Sequence, residues 1–244
     1  GDSTMIDDVE KLMNGENPIA MITDPPYGVN HDPSWRDDYC IGKRGFSDKH
    51  ANSKGLVKND DNADWQDAYS LFNGDIVYIW HSAKFTHIIA NNLINCGFDL
   101  ICQIIWAKQH FSFGRGDYHW QHEPCWYAVK KGSKHNWTGD RKQTTLWKIE
   151  SLNPIGKTKI EDKDKQEKTG HSTQKPIDCM LKPIENNTNQ GDGIYDPFGG
   201  SGTTLIACEK TNRKCYMMEI SPHYCDVIVK RWEKFTGNKA VLDA

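Results

Sequence analysis

The sequence has no long apolar run, no closely paired cysteines and little excess charge of one sign. Because no apolar stretch approaches membrane-spanning length and no signal peptide is visible, we predict neither a membrane protein nor a secreted one. The eight cysteines are scattered without C-x-x-C spacing. This scattered distribution of cysteines favours free thiols in a reducing compartment, and we therefore predict a cytoplasmic location.

The net charge of -3 and the isoelectric point near 6.4 give the chain no global basic field. Contact with nucleic acid would therefore depend on local basic patches. With 244 residues and a hydrophobic content of 37%, the chain is long enough for one sizeable core. We predict a single domain over residues 1–244.

A glycine-rich loop at residues 196–204 lacks two common nucleotide-binding signatures. It has neither the Gly-Lys-Ser/Thr ending of a Walker loop nor the G-x-G-x-x-G spacing of a dinucleotide loop. It follows the apolar pair Ile194 and Tyr195 and precedes a helical pattern at residues 205–210. Such a strand-to-helix loop lets the backbone approach a ligand closely, and a helix N-terminus attracts carboxylate or phosphate.

A second loop follows the apolar run at residues 19–22 and reads Asp24, Pro25, Pro26, Tyr27. Two successive prolines stiffen this turn and remove two backbone donors, so its carbonyls can only accept hydrogen bonds. The Asp24 carboxylate and the Pro25 carbonyl can accept the two N–H bonds of an amino group, and Tyr27 can lie against a planar ring. A nucleobase with an exocyclic amine fits this set, whereas the turn alone is equally compatible with a plain surface turn.

Together the two loops resemble those of the DNA methyltransferases that methylate amino groups. In that family a D-P-P-Y turn grips the target base and a D-P-F-x-G-S-G-T loop holds S-adenosylmethionine. Residues 171–176, H-S-T-Q-K-P, resemble the family's H-P-T-Q-K-P element, with Ser172 where proline is usual. The order of the motifs, catalytic turn first and cofactor loop last, resembles the circularly permuted β group.

The resemblance implies a role for individual residues of this chain. The implied catalytic residues are Asp24, Pro25, Pro26 and Tyr27. The implied contacts with the cofactor S-adenosylmethionine are made by Asp2, Asp24, Thr173, Lys175, Pro176, Asp196, Phe198, Gly200, Ser201, Gly202, Thr203 and Glu219. No metal is implied, because methyl transfer from a sulfonium needs none.

Two of these acids also have simpler interpretations. Asp2 resembles the family's acidic residue near the cofactor adenine, yet it can also cap the helix predicted from the spacing of Ile6, Val9 and Leu12. Glu219 ends a predicted strand and matches the family's ribose-binding acid. The alternative for Glu219 is a carboxylate that caps a surface loop.

The apolar pattern predicts a doubly wound, mostly parallel α/β sheet. The resemblance implies that this sheet is the Rossmann-like fold of S-adenosylmethionine-dependent methyltransferases in permuted order. Residues 75–80 and 98–106 are predicted strands that flank a predicted helix at 83–95, which makes a β-α-β unit. Residues 125–129 suggest an antiparallel hairpin partner. Further helices are predicted after Pro176 and at 224–235, and a strand at 214–218.

Three segments are candidates for contact with DNA. Residues 30–64 form a predicted long loop that either faces DNA or is only a solvated connection, with Arg36, Lys43 and Arg44 as phosphate contacts. Residues 132–168 hold nine basic and six acidic side chains and lie where the β group has its target-recognition region. In this small insert Arg141 and Lys142 are the candidate phosphate contacts.

The third segment, residues 110–125, is rich in aromatic residues and histidine. We expect Phe111, Phe113, Arg115 and Tyr118 to line a cleft for a flipped base or its strand, and the alternative is a small aromatic core. A metal site at His119, His122 and Cys125 is disfavoured, because no fourth ligand is evident.

The predicted function is methyl transfer from S-adenosylmethionine to the 6-amino group of adenine flipped out of double-stranded DNA. Adenine is favoured over cytosine only by resemblance, because the family's cytosine enzymes more often begin the tetrapeptide with Ser. The alternatives are a cytosine 4-amino DNA methyltransferase, an RNA adenine methyltransferase, a non-catalytic DNA-binding module and a metal-binding or structural module. A homodimer, association with the nucleoid, and a further domain upstream of Gly1 are additional expectations.

Overall fold

The computed structural model describes residues 1–30, 58–112, 116–151 and 174–242. Seven strands in these residues form one sheet. Their bounds are β1 Ala20–Thr23, β2 Ile76–Trp80, β3 Phe98–Ser112, β4 Trp120–Lys130, β5 Leu146–Lys148, β6 Gly193–Asp196 and β7 Lys214–Met217.

The strand order in the sheet is β5-β3-β4-β2-β1-β6-β7. Every neighbouring pair is parallel except the two pairs that β4 makes with β2 and β3. Six strands therefore run in one direction, and β4 runs against them. The carboxyl ends of β1, β2, β3, β6 and β7 lie at one edge of the sheet, which is where open α/β sheets bind ligands. The amino end of β4 lies at that same edge.

The helices are α1 Ile6–Met13, α2 Gln66–Ser70, α3 Thr86–Asn95, α4 Asp178–Asn187, α5 Thr203–Lys210 and α6 Pro222–Thr236, with a 3-10 turn at Ala83–Phe85. None of the helices in the described residues is long and apolar enough to cross a membrane.

Alternate residues of the central strands enter two different cores. Ile22 and Tyr78 pack with Met180 of α4 and Ala207 of α5. Met21 packs with residues of α1, α2 and α3 on the opposite face. Strand side chains alternate between faces, so a strand buried on both faces is mostly apolar, as β2 is throughout and β1 is up to Thr23. The predicted doubly wound α/β sheet is confirmed.

The predicted β-α-β unit is present, with one rearrangement. Strands β2 and β3 are parallel in direction, but β4 lies between them and pairs with both. The hairpin partner predicted from residues 125–129 is therefore confirmed as β4. It is longer than expected, and it lies between the two strands of the β-α-β unit. In the described part of the predicted recognition insert, β5 extends the sheet edge, and Trp147 is buried in the core.

Gly74 allows the close approach of two chain segments just before β2. A Cβ atom at this position would lie 2.3 Å from the carbonyl oxygen of Pro18 and 2.4 Å from the Phe72 ring. Because the carbonyl belongs to the backbone, it cannot move aside cheaply.

We expect Gly74→Ala to lower the free energy of unfolding by roughly 1–3 kcal/mol, as overpacking does. Urea unfolding would measure the change. Gly116→Ala is the matched control, because among the described residues its Cβ atom would meet nothing closer than 3.7 Å. It should change stability by less than about 0.5 kcal/mol. Equal stability of the two variants would contradict the steric argument.

Candidate active site

The Asp24–Tyr27 turn leaves the carboxyl end of β1 and is held from two directions. The indole N–H of Trp65 donates a 3.0 Å hydrogen bond to the Pro26 carbonyl. The backbone N–H of Tyr27 donates a 3.1 Å bond to the Asp60 carboxylate. These two bonds give the stiff proline turn one defined orientation over the edge of the sheet.

Lys175 lies at the centre of the charged residues around this turn. Its ammonium is 2.9 Å from the Asp24 carboxylate and 2.7 Å from that of Glu123. It also donates a 2.7 Å hydrogen bond to the Tyr27 hydroxyl. Lys175 is only 5% exposed, so one buried cation connects the H-S-T-Q-K-P element, the D-P-P-Y tetrapeptide and the strand β4.

The Tyr27 hydroxyl is both an acceptor and a donor. It accepts from Lys175 and donates a 3.1 Å bond to Glu123. The Lys175 ammonium also lies 5.0 Å from the centre of the Tyr27 ring. Both ends of the tyrosine are therefore held, and its ring has a restricted position beside the Asp24 carboxylate.

The environment separates the proton affinities of the two acids. Burial raises the pKa of Asp24, with a further increase from Glu123 and an opposing effect of Lys175. Burial alone would also raise the pKa of Glu123, but Lys175 and Lys108 lower it to about 2. The pKa of Lys175 would fall on burial, yet the two carboxylates raise it above its ordinary value. Lys175 and Glu123 are therefore fully charged near neutral pH.

The second loop leaves the carboxyl end of β6, directly beside β1. The Thr23 hydroxyl donates a 2.6 Å bond to the buried Asp196 carboxylate, and the Phe198 N–H donates a 3.1 Å bond to the same oxygen. Burial raises the pKa of Asp196 to about 6, although these two bonds oppose the increase. The bond from Thr23 therefore links the last residue of β1 to the last residue of β6, directly below the two turns.

The glycine loop then connects to the acid at the end of β7. The Glu219 carboxylate accepts 2.8 Å bonds from the backbone N–H groups of Gly200 and Ser221, one on each oxygen. Gly202 has a φ of 78°, which favours glycine, and helix α5 begins immediately after it. The Arg231 side chain donates a 2.8 Å bond to the Ser201 carbonyl and so supports the loop from α6.

Asp2 lies close to this acid. The N-terminal amino group of Gly1 donates a 3.2 Å bond to the Glu219 carbonyl. The Asp2 carboxylate accepts bonds from the backbone and hydroxyl of Thr4, at 2.9 and 2.8 Å. It therefore stabilises the turn before α1, and the helix itself begins after Met5. The alternative role of Asp2 as the cap of α1 is wrong, because Met5 stands at the N-cap and no side-chain hydrogen bond caps the helix. Contact of Asp2 with the cofactor stays a prediction.

Trp65 brings the two loops into contact. Its ring packs edge-on against Phe198 with 4.8 Å between ring centres, while its N–H holds Pro26. The residues predicted for base binding and those predicted for cofactor binding therefore occupy neighbouring loops at one edge. Thr203 is buried in the first turn of α5. Pro176 is buried just before α4.

The candidate DNA contacts lie elsewhere or outside the described residues. Tyr118 is 91% exposed between β3 and β4. Arg141 and Lys142 are exposed between β4 and β5. The candidates Arg36, Lys43, Arg44, Phe113, Arg115 and Thr173 fall outside the described residues.

Three residues of the site were not identified from the sequence: Trp65, Lys108 and Glu123. Glu123 directly precedes the mostly apolar stretch 124–129 of β4, and an ionisable residue there was the available signal. Trp65 gave no local signal, because its partners Pro26 and Phe198 are distant in the chain.

No group of three or more His, Cys, Asp or Glu side chains in the described residues could hold a metal ion. His119 stacks on Phe111, with ring centres 4.8 Å apart, and Cys125 is buried in the core. The described cysteines are all free thiols.

Comparison with known proteins agrees with the two motifs. Residues 20–230 match the N6/N4 family of DNA methylases. The chain belongs to this family. Its name covers methylation of both kinds of amino group, so membership does not distinguish adenine from cytosine.

Two curated relatives are type II methyltransferases. M2.MboI of Moraxella bovis is 25% identical over 239 residues, covering 91% of this chain and 83% of that protein. M.HinfI of Haemophilus influenzae is 28% identical over 173 residues, covering 66% of this chain. The chain spans about half of M.HinfI, since the match covers 47% of its length.

The crystal structure of M1.HpyAVI with S-adenosylmethionine has the same fold. It has a TM-score of 0.63 and is 26% identical, and the match covers 95% of this chain and 96% of that one. Both the predicted methyltransferase fold and the prediction of S-adenosylmethionine as the family's cofactor are confirmed.

Replacing Trp65 would test the connection between the two loops. We expect Trp65→Phe to lower the free energy of unfolding by about 1 kcal/mol through the lost bond to Pro26, and to weaken binding of S-adenosylmethionine because Phe198 loses support. Urea unfolding and calorimetry would measure the two effects. Trp147→Phe is the control: it loses a 3.0 Å indole bond to Thr144, and it should lower stability without affecting binding. Equal cofactor affinity in both variants would contradict the connection.

The pKa of Asp196 predicts a pH-dependent stability difference. Its folded value of about 6 exceeds the ordinary 3.8, so the folded state binds the proton more tightly and loses stability as pH rises through this window. We expect the stability of Asp196→Asn relative to the wild type to increase between pH 4 and 7 by up to about 3 kcal/mol. Urea unfolding at several pH values would measure it, and a constant difference would show that Asp196 ionises normally.

Proposed function

We propose that this chain transfers a methyl group from S-adenosylmethionine to the 6-amino group of an adenine flipped out of double-stranded DNA. The observation that carries the proposal is the adjacency of the two loops. The Asp24–Tyr27 turn and the Asp196–Gly202 loop leave neighbouring parallel strands and are joined by the Thr23–Asp196 hydrogen bond. A binding site for the amine and a binding site for the cofactor on neighbouring loops suit direct transfer of a methyl group between two bound molecules.

The residues of the second loop fit S-adenosylmethionine. The Glu219 carboxylate, fixed by two backbone N–H groups, is an acceptor suited to the ribose hydroxyls. The first turn of α5 presents unpaired backbone N–H groups to the carboxylate of the methionine part. When bound, the cofactor supplies a methyl group on a positively charged sulfur.

Asp24 and Pro25 prepare the amine. An exocyclic amine is a poor nucleophile because its lone pair is delocalised into the ring. Accepting its two N–H bonds at the Asp24 carboxylate and the Pro25 carbonyl favours a pyramidal nitrogen and stabilises the developing positive charge. The nitrogen forms a bond to the methyl carbon, the carbon–sulfur bond breaks with its electrons moving to sulfur, and the amine then loses one proton. The reaction needs no covalent enzyme intermediate.

Tyr27 is positioned to receive the flipped base. A base inside a duplex cannot reach this edge, so it leaves the stack and loses its neighbours. A tyrosine ring whose hydroxyl is already held by Lys175 and Glu123 offers a rigid stacking surface. Its fixed position limits the entropy that stacking costs.

The proposed DNA-facing surface includes the exposed end of the β3–β4 hairpin, with Phe111 and Tyr118. Arg115, Arg141 and Lys142, together with Arg36, Lys43 and Arg44 in the predicted 30–64 loop, are the proposed phosphate contacts. With a net charge of -3, the chain depends on these local contacts. Residues 132–168 are the proposed target-recognition insert.

The adenine assignment rests on the leading Asp24, and the cytosine amino group of DNA is the principal alternative because the family includes both. The permuted β-group order, a homodimer and a cytoplasmic, nucleoid-associated location belong to the same proposal. Two of the curated relatives of this chain are named type II methyltransferases, which favours a role in restriction and modification.

Transfer of labelled methyl to unmethylated DNA, followed by digestion to nucleosides, tests the function. We expect label in 6-methyl-2′-deoxyadenosine. The rate of transfer should fall by at least about a hundredfold in Asp24→Ala, since transition-state hydrogen-bonding groups of this kind contribute at that level. Asp99→Ala is the matched control, because Asp99 is exposed at the amino end of β3. Label in 4-methyl-2′-deoxycytidine would show that the substrate is cytosine in DNA, and label on RNA alone would show that the substrate is RNA. Cofactor binding without any transfer would overturn the proposal.

A further inference from the structure

Glu123 belongs to neither of the two motifs, yet it contacts the centre of the site. Its carboxylate lies 2.7 Å from the Lys175 ammonium and accepts a 3.1 Å bond from the Tyr27 hydroxyl. Its other oxygen forms an ion pair with Lys108. Its partners in these contacts are Lys175 and Tyr27, which lie beside Asp24, and a second cation, Lys108.

The antiparallel strand places Glu123 at this edge. Because β4 runs against the other strands, its amino end lies beside their carboxyl ends. Glu123 pairs with Trp106 of β3, and Lys108 lies two residues further along β3 on the same face. The short diagonal contact between Lys108 and Glu123 follows from this register.

The charges of this cluster balance. Asp24 and Glu123 carry two negative charges, and Lys108 and Lys175 carry two positive charges. If Glu123 were absent, Asp24 would be the one carboxylate of this cluster left to pair with the Lys175 ammonium, which would engage more strongly the oxygen lone pairs that the substrate amine needs. With Glu123 present, the ammonium is shared between two carboxylates and Asp24 remains a stronger acceptor.

We propose that Glu123 is a positioning residue for methyl transfer. By binding the Lys175 ammonium and the Tyr27 hydroxyl together, it keeps the Asp24 carboxylate available to the amine and holds the tyrosine ring in its stacking position. Glu123 does not touch the reacting atoms and acts through Lys175 and Tyr27. This inference rests on the proposed function.

A role for Glu123 as the base that removes the amine proton is disfavoured by its surroundings. The two lysines keep its pKa at about 2, so it is a weak base at neutral pH. Its negative charge instead raises the pKa of Asp24. The direction of that effect distinguishes a positioning role from a purely structural ion pair.

The test compares Glu123→Gln and Glu123→Asp with the wild type in methyl transfer to DNA across a range of pH. We expect Glu123→Gln to lower kcat by on the order of 10- to 100-fold through misplacement of Asp24 and Tyr27, with an unchanged KM for S-adenosylmethionine. Since Asp24 must be ionised and Glu123 raises its pKa, the acid limb of the kcat profile should move to lower pH. Glu123→Asp keeps the charge and should restore part of kcat with the limb near its wild-type position.

The matched control is Glu16→Gln. Glu16 forms an exposed 3.5 Å ion pair with Lys214 at the opposite edge of the sheet, and its replacement should leave kcat and the acid limb unchanged. Melting temperatures of all the variants show whether a loss of kcat follows a loss of folded protein.

A carbon-13 NMR titration of the Asp24 carboxyl group in the wild type and in Glu123→Gln tests the same charge effect without activity. A downward displacement of the Asp24 titration in the variant supports the inference. An unmoved titration, or a kcat loss that the melting temperature fully explains with an unmoved acid limb, overturns it. A wild type that transfers no methyl group contradicts the proposed function instead, and the titration still decides the charge effect of Glu123.

Discussion

The site depends on one buried ammonium group, that of Lys175. A buried lysine is stable only where acids surround it, and here Asp24, Glu123 and the Tyr27 hydroxyl do so. The cation comes from the segment before α4, Asp24 and Tyr27 from the loop after β1, and Glu123 from β4. Removing the cation would leave two carboxylates facing each other at low dielectric, and so the geometry of the catalytic turn and the charge state of the site are maintained by the same contacts.

Parallel strand direction provides the frame for these contacts. Because β1 and β6 are adjacent and parallel, the turns that follow them emerge side by side, although they are far apart in the chain. The Thr23–Asp196 bond and the Trp65 ring then join the turns. The Asp24–Tyr27 turn and the glycine-rich loop are therefore held together as one structural unit.

Much of this arrangement could be predicted from local sequence. The apolar runs before Asp24 and Asp196 predicted β1 and β6, and the glycine loop predicted the start of α5. The insertion of β4 between β2 and β3 could not be predicted, because no local pattern determines which strands pair. Glu123 and Trp65 were missed for the same reason: their roles come from contacts across the sheet. Lys175 was assigned to the cofactor by resemblance, and its observed contacts include Asp24 and Tyr27 of the first turn and Glu123 of β4.

The reversed direction of β4 has a consequence for divergence among relatives. Beyond Lys108 and Glu123, the described residues of β3 and β4 pair in the sheet only with each other, and Tyr118, between the two strands, is exposed. Residues can be inserted, deleted or exchanged there without disturbing either core or the buried charges at its base. Variation at the exposed end of this hairpin is therefore separated in space from the buried charges that surround Asp24.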